Sequence, residues 1–240
     1  MQAAIKEPEV LKNFLQSLTE DEQRVAERFL RPSKSKELVF EFTRDVGHLH
    51  QYYVLRSREQ AHIWGFSAAQ IREDEMDRQS HILVARRDNQ VMAGARLTIS
   101  SPRRPLSLPM EQNGFRLDKA FPDLGLGNRK YAEISRVVIE TEFQDDSSLL
   151  MIFQHLYRKI IATRVEYIFG TAPAGIAASY QRFSHAMGLN IRTYSSEEFP
   201  EIMDDDGIKM HLIVAPVVLA ADTSYEEFPS ENQRETVSIW

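Results

Sequence analysis

Glu133 and Arg136 stand inside the run Tyr-Ala-Glu-Ile-Ser-Arg-Val-Val-Ile-Glu, residues 131–140, which is otherwise apolar and rich in β-branched residues. Such a run reads as a buried strand. Removing a carboxylate and a guanidinium from water is costly unless they are paired or have a task. Two readings follow. The two charges form a structural ion pair in a core, or Glu133 is a general base that takes a proton directly or through water. Ser135 shares the face of Glu133 in a regular strand, and Arg136 takes the opposite face.

Arg56, Asp74, Asp77 and Arg96 add two cations and two anions. They can shape a substrate pocket, with Asp77 on a cationic group and an arginine on a carboxylate through paired hydrogen bonds. They can equally form a structural network that clamps the amino-terminal part. Asp74, in the charge run Arg72–Asp77, reads by itself as a solvated acid. His48, His50, His62, His81, His155, His185 and His211 are scattered, and none forms a metal-binding His-x-x-x-His pair beside an acid. No metal site is expected. No Gly-x-Ser-x-Gly elbow supports a hydrolase triad.

The elements that must position these residues follow from periodicity and turn signals. Residues 8–30 read as two short helices, the second opened by Thr19-Glu-Asp-Glu22 as a capping box and closed at Arg31-Pro32. Glu37–Phe42 reads as a strand. Residues 46–63 read as a helix with Leu49, Tyr53, Arg56 and Gln60 near one face. A shorter helix follows Ser67. His81–Arg86, the turn Asp88-Asn89 and Val91–Ser100 form a hairpin. Residues 101–129, with prolines, glycines and charges, form a long irregular insertion of the kind that often makes lids and binding loops. After the 131–140 strand come a helix over 147–163 and a strand over Val165–Thr171. A helix over Ala174–Met187, capped by Gly188, leads to the last strands, Leu189–Tyr194 and Ile208–Val218. The order predicts an α/β protein, a mixed central sheet with helices on both faces. The expected organisation is a helical extension over 1–36, one domain over 37–220 and a polar, acidic, mobile tail over 221–240.

Composition narrows the class. The 240 residues suit one domain of moderate size, and the 42% hydrophobic content supports a real core. Cysteine is absent, which excludes disulfides, thiolate nucleophiles and cysteine-bound metals. The first residues lack a signal peptide's apolar core, and no apolar run is long enough to span a membrane, so a cytoplasmic protein is expected. A net charge of −6 argues against a dedicated nucleic-acid binder.

Five features recur here in an order that carries a resemblance: Arg56 on the first long helix, Asp74-Glu-Met-Asp77 before the hairpin, and Gly94-Ala-Arg96-Leu97 in the next strand. Phe121-Pro122 follows Gly114-Phe-Arg-Leu-Asp118 in the insertion, and Glu133-Ile-Ser-Arg136 lies in the central strand. Over residues 37–200 the chain resembles the acyl-homoserine-lactone (autoinducer) synthases, the long-chain N-acyl amino acid synthases and the exosortase-associated acyltransferases. All share the GNAT (GCN5-related acyltransferase) fold. The resemblance implies transfer of a fatty acyl chain from acyl carrier protein to an amine. It assigns Glu133 and Ser135 to catalysis and Arg56, Asp74, Asp77, Arg96 and Arg136 to the substrate site. In this fold the central strand often bulges, and the freed amides, here of Val137–Ile139 with Val138 at the centre, polarise the thioester carbonyl. Residues 77–81, Asp-Arg-Gln-Ser-His, are closer to the amino acid and exosortase-linked groups. Gln60 stands where autoinducer synthases carry an aromatic residue, and Trp64 takes the part of a later tryptophan at a different spacing.

The donor leaves its own trace. Acetyl-CoA enzymes of this fold cradle the pyrophosphate in a glycine-rich loop after the central strand. Residues 141–148, Thr-Glu-Phe-Gln-Asp-Asp-Ser-Ser, contain no glycine and three acids. That favours a donor presented on phosphopantetheine by acyl carrier protein, with acyl-CoA the alternative and no tightly bound cofactor. Carrier proteins are acidic, so Arg158, Lys159, Arg164 and Arg182 are the candidate docking cations. Leu149, Leu150, Ile152, Phe153 and Leu156 read mainly as core, and part of this stripe, with Phe169 and Phe183, can line an acyl tunnel. The expected function is an N-acyltransferase of the N-acyl amino acid synthase type. The alternatives are an autoinducer synthase, an acetyl-CoA-dependent N-acetyltransferase, or an inactive acyl-binding domain.

Overall fold

The structure is a computed structural model and describes residues 38–64, 73–112, 114–144, 146–186, 190–203, 207–217 and 235–237. Of residues 60–64 and 235–237, and of a few more within the later helices, only the backbone element is described. The helical extension over 1–36, the Gly188 cap and the expected helix start after Ser67 lie outside the described residues.

Eight strands form one sheet: β1 (Leu38–Thr43), β2 (His81–Arg87), β3 (Gln90–Ser100), β4 (Tyr131–Ile139), β5 (Tyr167–Ala172), β6 (Arg192–Tyr194), β7 (His211–Pro216) and β8 (Glu235–Val237). Their order across the sheet is β6-β7-β5-β4-β3-β2-β1-β8. Every pairing is antiparallel except β4 with β5. The strand β8 falls inside the stretch read as a polar tail, and it covers the outer edge of β1.

Helices α1 (Val46–Trp64) and α2 (Glu75–Gln79) pack on one face, and α3 (Asp146–Ala162) and α4 (Ala174–Ala186) on the other. Period-two alternation in the strands serves both layers. Ile82 and Val84 of β2 meet Tyr52 and Leu55 of α1, whereas Leu83 and Ala85 meet Ile152, Leu156 and Ile160 of α3. Burying each of those α3 side chains contributes roughly 1.5–3 kcal/mol. The buried positions of α1 are Tyr52, Leu55, Arg56 and Glu59, spaced i, i+3, i+4, i+7. This stripe shares Arg56 with the expected face and is rotated from it at the other positions, with Leu49 and Tyr53 only partly buried at its margin.

The insertion is not a loose loop. Short turns at Pro109–Glu111, Leu117–Ala120, Pro122–Leu124 and Leu126–Asn128 fold it onto β4, β5 and β7. Leu108, Met110, Phe115, Leu117 and Leu126 are buried there with Phe169 and Leu212. Phe121 stacks near Phe169, Tyr194 and Phe199 at centroid distances of 6.2, 5.4 and 5.5 Å. This second core lies on the α1 face, opposite Ile152 and Leu156. The sheet therefore lies between Phe169 and the buried α3 residues Ile152 and Leu156, and the side chain of Phe183 lies outside the described residues.

Two features of β4 position the site. It pairs with β5 over only Tyr131–Glu133, so the strands part beyond that point, and among the described residues the later edge of β4 has no strand partner. On its other side, β4 bulges. Ser135 faces Arg96 and Val138 faces Gly94, so Ala95 of β3 opposes both Arg136 and Val137. Arg136 has φ +53°, the left-handed conformation uncommon outside glycine.

Candidate active site

The side chains of Arg56, Asp77, Arg96, Glu133 and Ser135 converge on the α1 face of the sheet. Asp74 opens α2 as its N-cap, with a reciprocal box to Asp77: the Asp77 amide donates to Asp74 Oδ1 at 2.7 Å, and the Asp74 amide donates to Asp77 Oδ2 at 2.9 Å. Ser80 ends α2 and ties it to β3 through Thr98, with 2.7 Å between their hydroxyls.

Asp77 is the hub. Arg56 donates to both its oxygens at 3.0 and 2.9 Å, and Arg96 Nη1 donates to Oδ1 at 3.1 Å. The same Arg96 nitrogen reaches both oxygens of Asp74, at 2.9 and 2.8 Å. Asp74 is therefore not the solvated acid its charge run suggests, although its side chain stays 38% exposed. Burial alone would raise the Asp77 carboxyl. The Arg56 hydrogen bonds and charge, the Asp74 amide and Arg96 outweigh it and hold the group below the ordinary carboxylate value. Burial would likewise weaken the charge on Arg96, but Asp74 and Asp77 overcome it. All four acceptor positions of Asp77 are filled and its side chain has no exposure, so it has no capacity left for a substrate ammonium. The physical reason is geometric: a carboxylate at the N3 position of a short helix is turned back onto that helix and onto the two arginines beneath it.

Arg96 also donates through Nε to Ser135 Oγ at 3.0 Å, which leaves the Ser135 hydroxyl proton able to donate onward. Glu133 is two residues away on the same face, and its side chain is 2% exposed. Its Oε2 accepts the buried Met110 amide at 2.9 Å. Burial pushes the Glu133 carboxyl up to about 7, against the pull of the Met110 amide, Arg96 and Arg136. A carboxylate poised near neutrality suits a base that must collect a proton and release it.

The aim of the Met110 amide was not anticipated from sequence. Glu111 sets it. Its carboxylate accepts the Leu108 amide at 2.8 Å and the Leu117 amide at 3.0 Å, closing the turn that carries Met110. A glutamate three residues into a Pro-initiated turn is the readable signal. Glu111→Ala leaves both amides without their acceptor, at about 1–3 kcal/mol each when buried. A lowered urea midpoint with unchanged m is the expected result.

Three more residues were not singled out by sequence. Glu59, buried on α1, accepts the Thr141 hydroxyl at 2.8 Å and so pins the segment that follows β4. Beside it, Arg58 pairs with Glu59 and Glu140. Tyr52 donates its hydroxyl to the Arg136 carbonyl at 2.8 Å. A buried glutamate or tyrosine on a helix looks like any surface one until its partner far along the chain is known.

Arg158 and Lys159 lie in the last turns of α3, Lys159 over the Phe42 ring at 5.5 Å, and Arg164 lies just beyond. This end of α3 meets the start of β4, where Lys130 Nζ donates to the Thr163 carbonyl at 3.0 Å. The cleft between β4 and β5 opens at the other end. These cations therefore do not gather at its mouth. The side chains of Trp64 and Arg182 lie outside the described residues. His155 is buried against Phe40 with stacked rings 4.4 Å apart, and desolvation with the nearby Arg158 lowers it to about 4, as expected of a neutral core histidine. Among the described residues no group of three His, Asp or Glu side chains converges as metal ligands, and no helix is long and apolar enough to cross a membrane.

A family model described as N-acyl amino acid synthase FeeM matches residues 49–200, more than half of the chain. Among solved structures, the chain is similar to FeeM, an N-acyl amino acid synthase from uncultured soil microbes. The TM-score is 0.53 and the identity 9%, over 77% of this chain and 92% of that one. It is also similar to BjaI, a CoA-dependent acyl-homoserine lactone synthase solved with SAM and isopentyl-CoA. There the TM-score is 0.54 and the identity 12%, over 76% of this chain and 84% of that one. At such identities the likeness establishes the GNAT-type fold. No curated protein matches the sequence.

Proposed function

The chain belongs to the FeeM family of N-acyl amino acid synthases, and from that premise we propose that this acyltransferase moves a fatty acyl group from acyl carrier protein to the amine of an amino acid or a close derivative. The observation that carries the chemistry is the pairing of a buried, near-neutral Glu133 with a bulge three to four residues further along the same strand. Glu133 takes the proton of the attacking amine, directly or through water. The amine nitrogen bonds to the thioester carbonyl carbon, and the oxygen becomes an oxyanion. Amides of the bulge segment that face the edge away from β3, those of Val137 and Ile139, donate to that oxyanion as groups fixed in advance, whereas the amide of Val138, opposite Gly94, belongs to the β3 ladder. The C–S bond then breaks, and the departing thiolate takes up a proton equivalent to the one Glu133 collected. Ser135, oriented by Arg96, supplies a hydroxyl donor beside this path.

Asp77, Arg56 and Arg96 shape the acceptor side by holding α2 against β3, and Asp74 keeps exposed oxygen surface for a cationic acceptor. Arg136, on the bulge, is the proposed partner of the acceptor's carboxylate. The donor reading rests on the segment after β4. Glu142 is exposed there, and no glycine frees amides for a pyrophosphate. Arg158, Lys159, Arg164 and Arg182 steer an acidic carrier at range rather than at the cleft mouth, a contribution that salt screens.

The test is to incubate the purified protein with acyl carrier protein thioesters, or the matching CoA thioesters, and a mixture of amino acids, and to identify products by mass spectrometry. N-acyl amino acids formed with higher kcat/KM from carrier-protein donors, most so at low salt, are expected. Transfer from CoA donors alone would overturn the donor. An acyl lactone formed from S-adenosylmethionine would overturn the acceptor.

A further inference from the structure

We propose that Tyr52 is a positioning residue for the thioester carbonyl: from α1 it locks the bulge of β4, and Gly94 makes the room it needs. This rests on the reading of the bulge amides as the oxyanion site.

Tyr52 is fully buried, and its hydroxyl donates to the carbonyl of Arg136 at 2.8 Å. Arg136 is the residue at φ +53°. A conformation of that kind persists in a non-glycine residue only where the surroundings over-determine it. The ring lies directly on Gly94, which pairs with Val138 just past the bulge. A Cβ on Gly94 would sit 2.5 Å from Tyr52 Cδ2 and 2.9 Å from the Leu83 carbonyl oxygen, closer than packed atoms approach. Gly94 therefore has no side chain because Tyr52 occupies that space.

The peptide unit carries the effect onward. It is planar and trans, so the carbonyl of Arg136 and the amide of Val137 are fixed in opposite directions on one rigid plate. Holding the carbonyl aims the amide. The hydroxyl of Tyr52 thus sets the direction of the first bulge donor without touching substrate. Tyr52 also lies under the Arg56 guanidinium, 5.4 Å from its ring centroid, so the same ring links the ion-pair cluster to the bulge. Burial raises the Tyr52 hydroxyl above its ordinary value, which keeps it a neutral donor throughout the working range.

The test is Tyr52→Phe in the full chain, beside Glu133→Gln. The substrates are acyl carrier protein charged with dodecanoate and an equimolar amino acid mixture. Phe keeps the ring on Gly94 and removes only the hydroxyl. The expected result is a fall in kcat of about tenfold with KM within about twofold, a part of what the loss of a whole oxyanion donor costs. Amide hydrogen exchange should quicken at residues 137–139 and stay unchanged in β2. Unaltered kcat, or unaltered exchange at those amides, overturns the inference. If Glu133→Gln keeps full turnover, the site reading itself has failed. If Glu133→Gln is inactive and Tyr52→Phe behaves as the parent, only the role of Tyr52 has failed. If dodecanoate gives no turnover in the parent, the exchange comparison decides.

Discussion

Glu133→Gln is expected to lower kcat by about a thousandfold while the protein stays folded. General-base catalysis contributes on the order of 10²–10⁴, and Gln has the shape of Glu without its basicity. The Met110 amide keeps an acceptor, because the amide oxygen of Gln can replace Oε2. In the parent, kcat/KM should fall on the acid side of about pH 7, where burial places the Glu133 carboxyl. That limb should vanish in the variant. Stability moves the other way. Between the ordinary carboxyl value of 4.5 and about 7 the folded protein holds a proton that the unfolded chain has released. Stability of the parent therefore drops as pH rises through that window, and the penalty is complete above it. The Gln variant lacks this slope, so its denaturation midpoint should exceed the parent's at pH 8 by more than at pH 5. A variant that keeps full turnover and the parent's stability slope would remove Glu133 from both roles.

Asp77→Asn is expected to produce the largest loss of stability. It leaves the Arg56 and Arg96 guanidiniums buried with only the partly exposed Asp74 between them. Breaking one side of a buried ion pair costs about 3–5 kcal/mol, because the surviving charges are stranded. For a chain of this size that is a fall in Tm of roughly 10 °C. Urea unfolding followed by circular dichroism measures it, and a loss below about 1 kcal/mol would mean the cluster is not a clamp. The pH dependence has the opposite sign to that of Glu133. The Asp77 carboxyl is held below its ordinary value, so its contribution is present above that value and is lost as pH falls through the folded one. Acid should therefore loosen α2 first.

Much of the fold was legible because it rests on local pattern. β-Branched runs marked the strands, the Asp88-Asn89 turn marked the hairpin, Glu133 stood out as a charge in an apolar strand, and Arg56, Asp77 and Arg96 stood out through the family resemblance. What escaped notice has no local signature. The amide of Met110 is the same backbone group as any other, and its aim depends on Glu111 and on contacts with β4. The α1 stripe was placed correctly at Arg56 but one position too far along at Tyr53 and Gln60, because the buried Glu59 gives the pattern no apolar mark. Asp74 looked solvated because its partner is more than twenty residues away. Arg158, Lys159 and Arg164 lie away from the cleft mouth because α3 runs antiparallel to β4, and helix direction determines which end of the cleft a residue reaches.

The three-residue pairing of β4 with β5 also has a mechanical meaning. A ribbon of five antiparallel strands, from β8 to β4, and a smaller one of β5, β7 and β6 are joined by a single short parallel stitch, Tyr131–Glu133 with Tyr167–Phe169. Under tension, or in slow thermal opening, a sheet built this way parts at its stitch before either ribbon unravels. The cleft proposed to receive the acyl chain is thus also the fault line of the molecule. A ligand that bridges the two ribbons would be felt as a rivet, raising the resistance of the whole chain to being pulled apart.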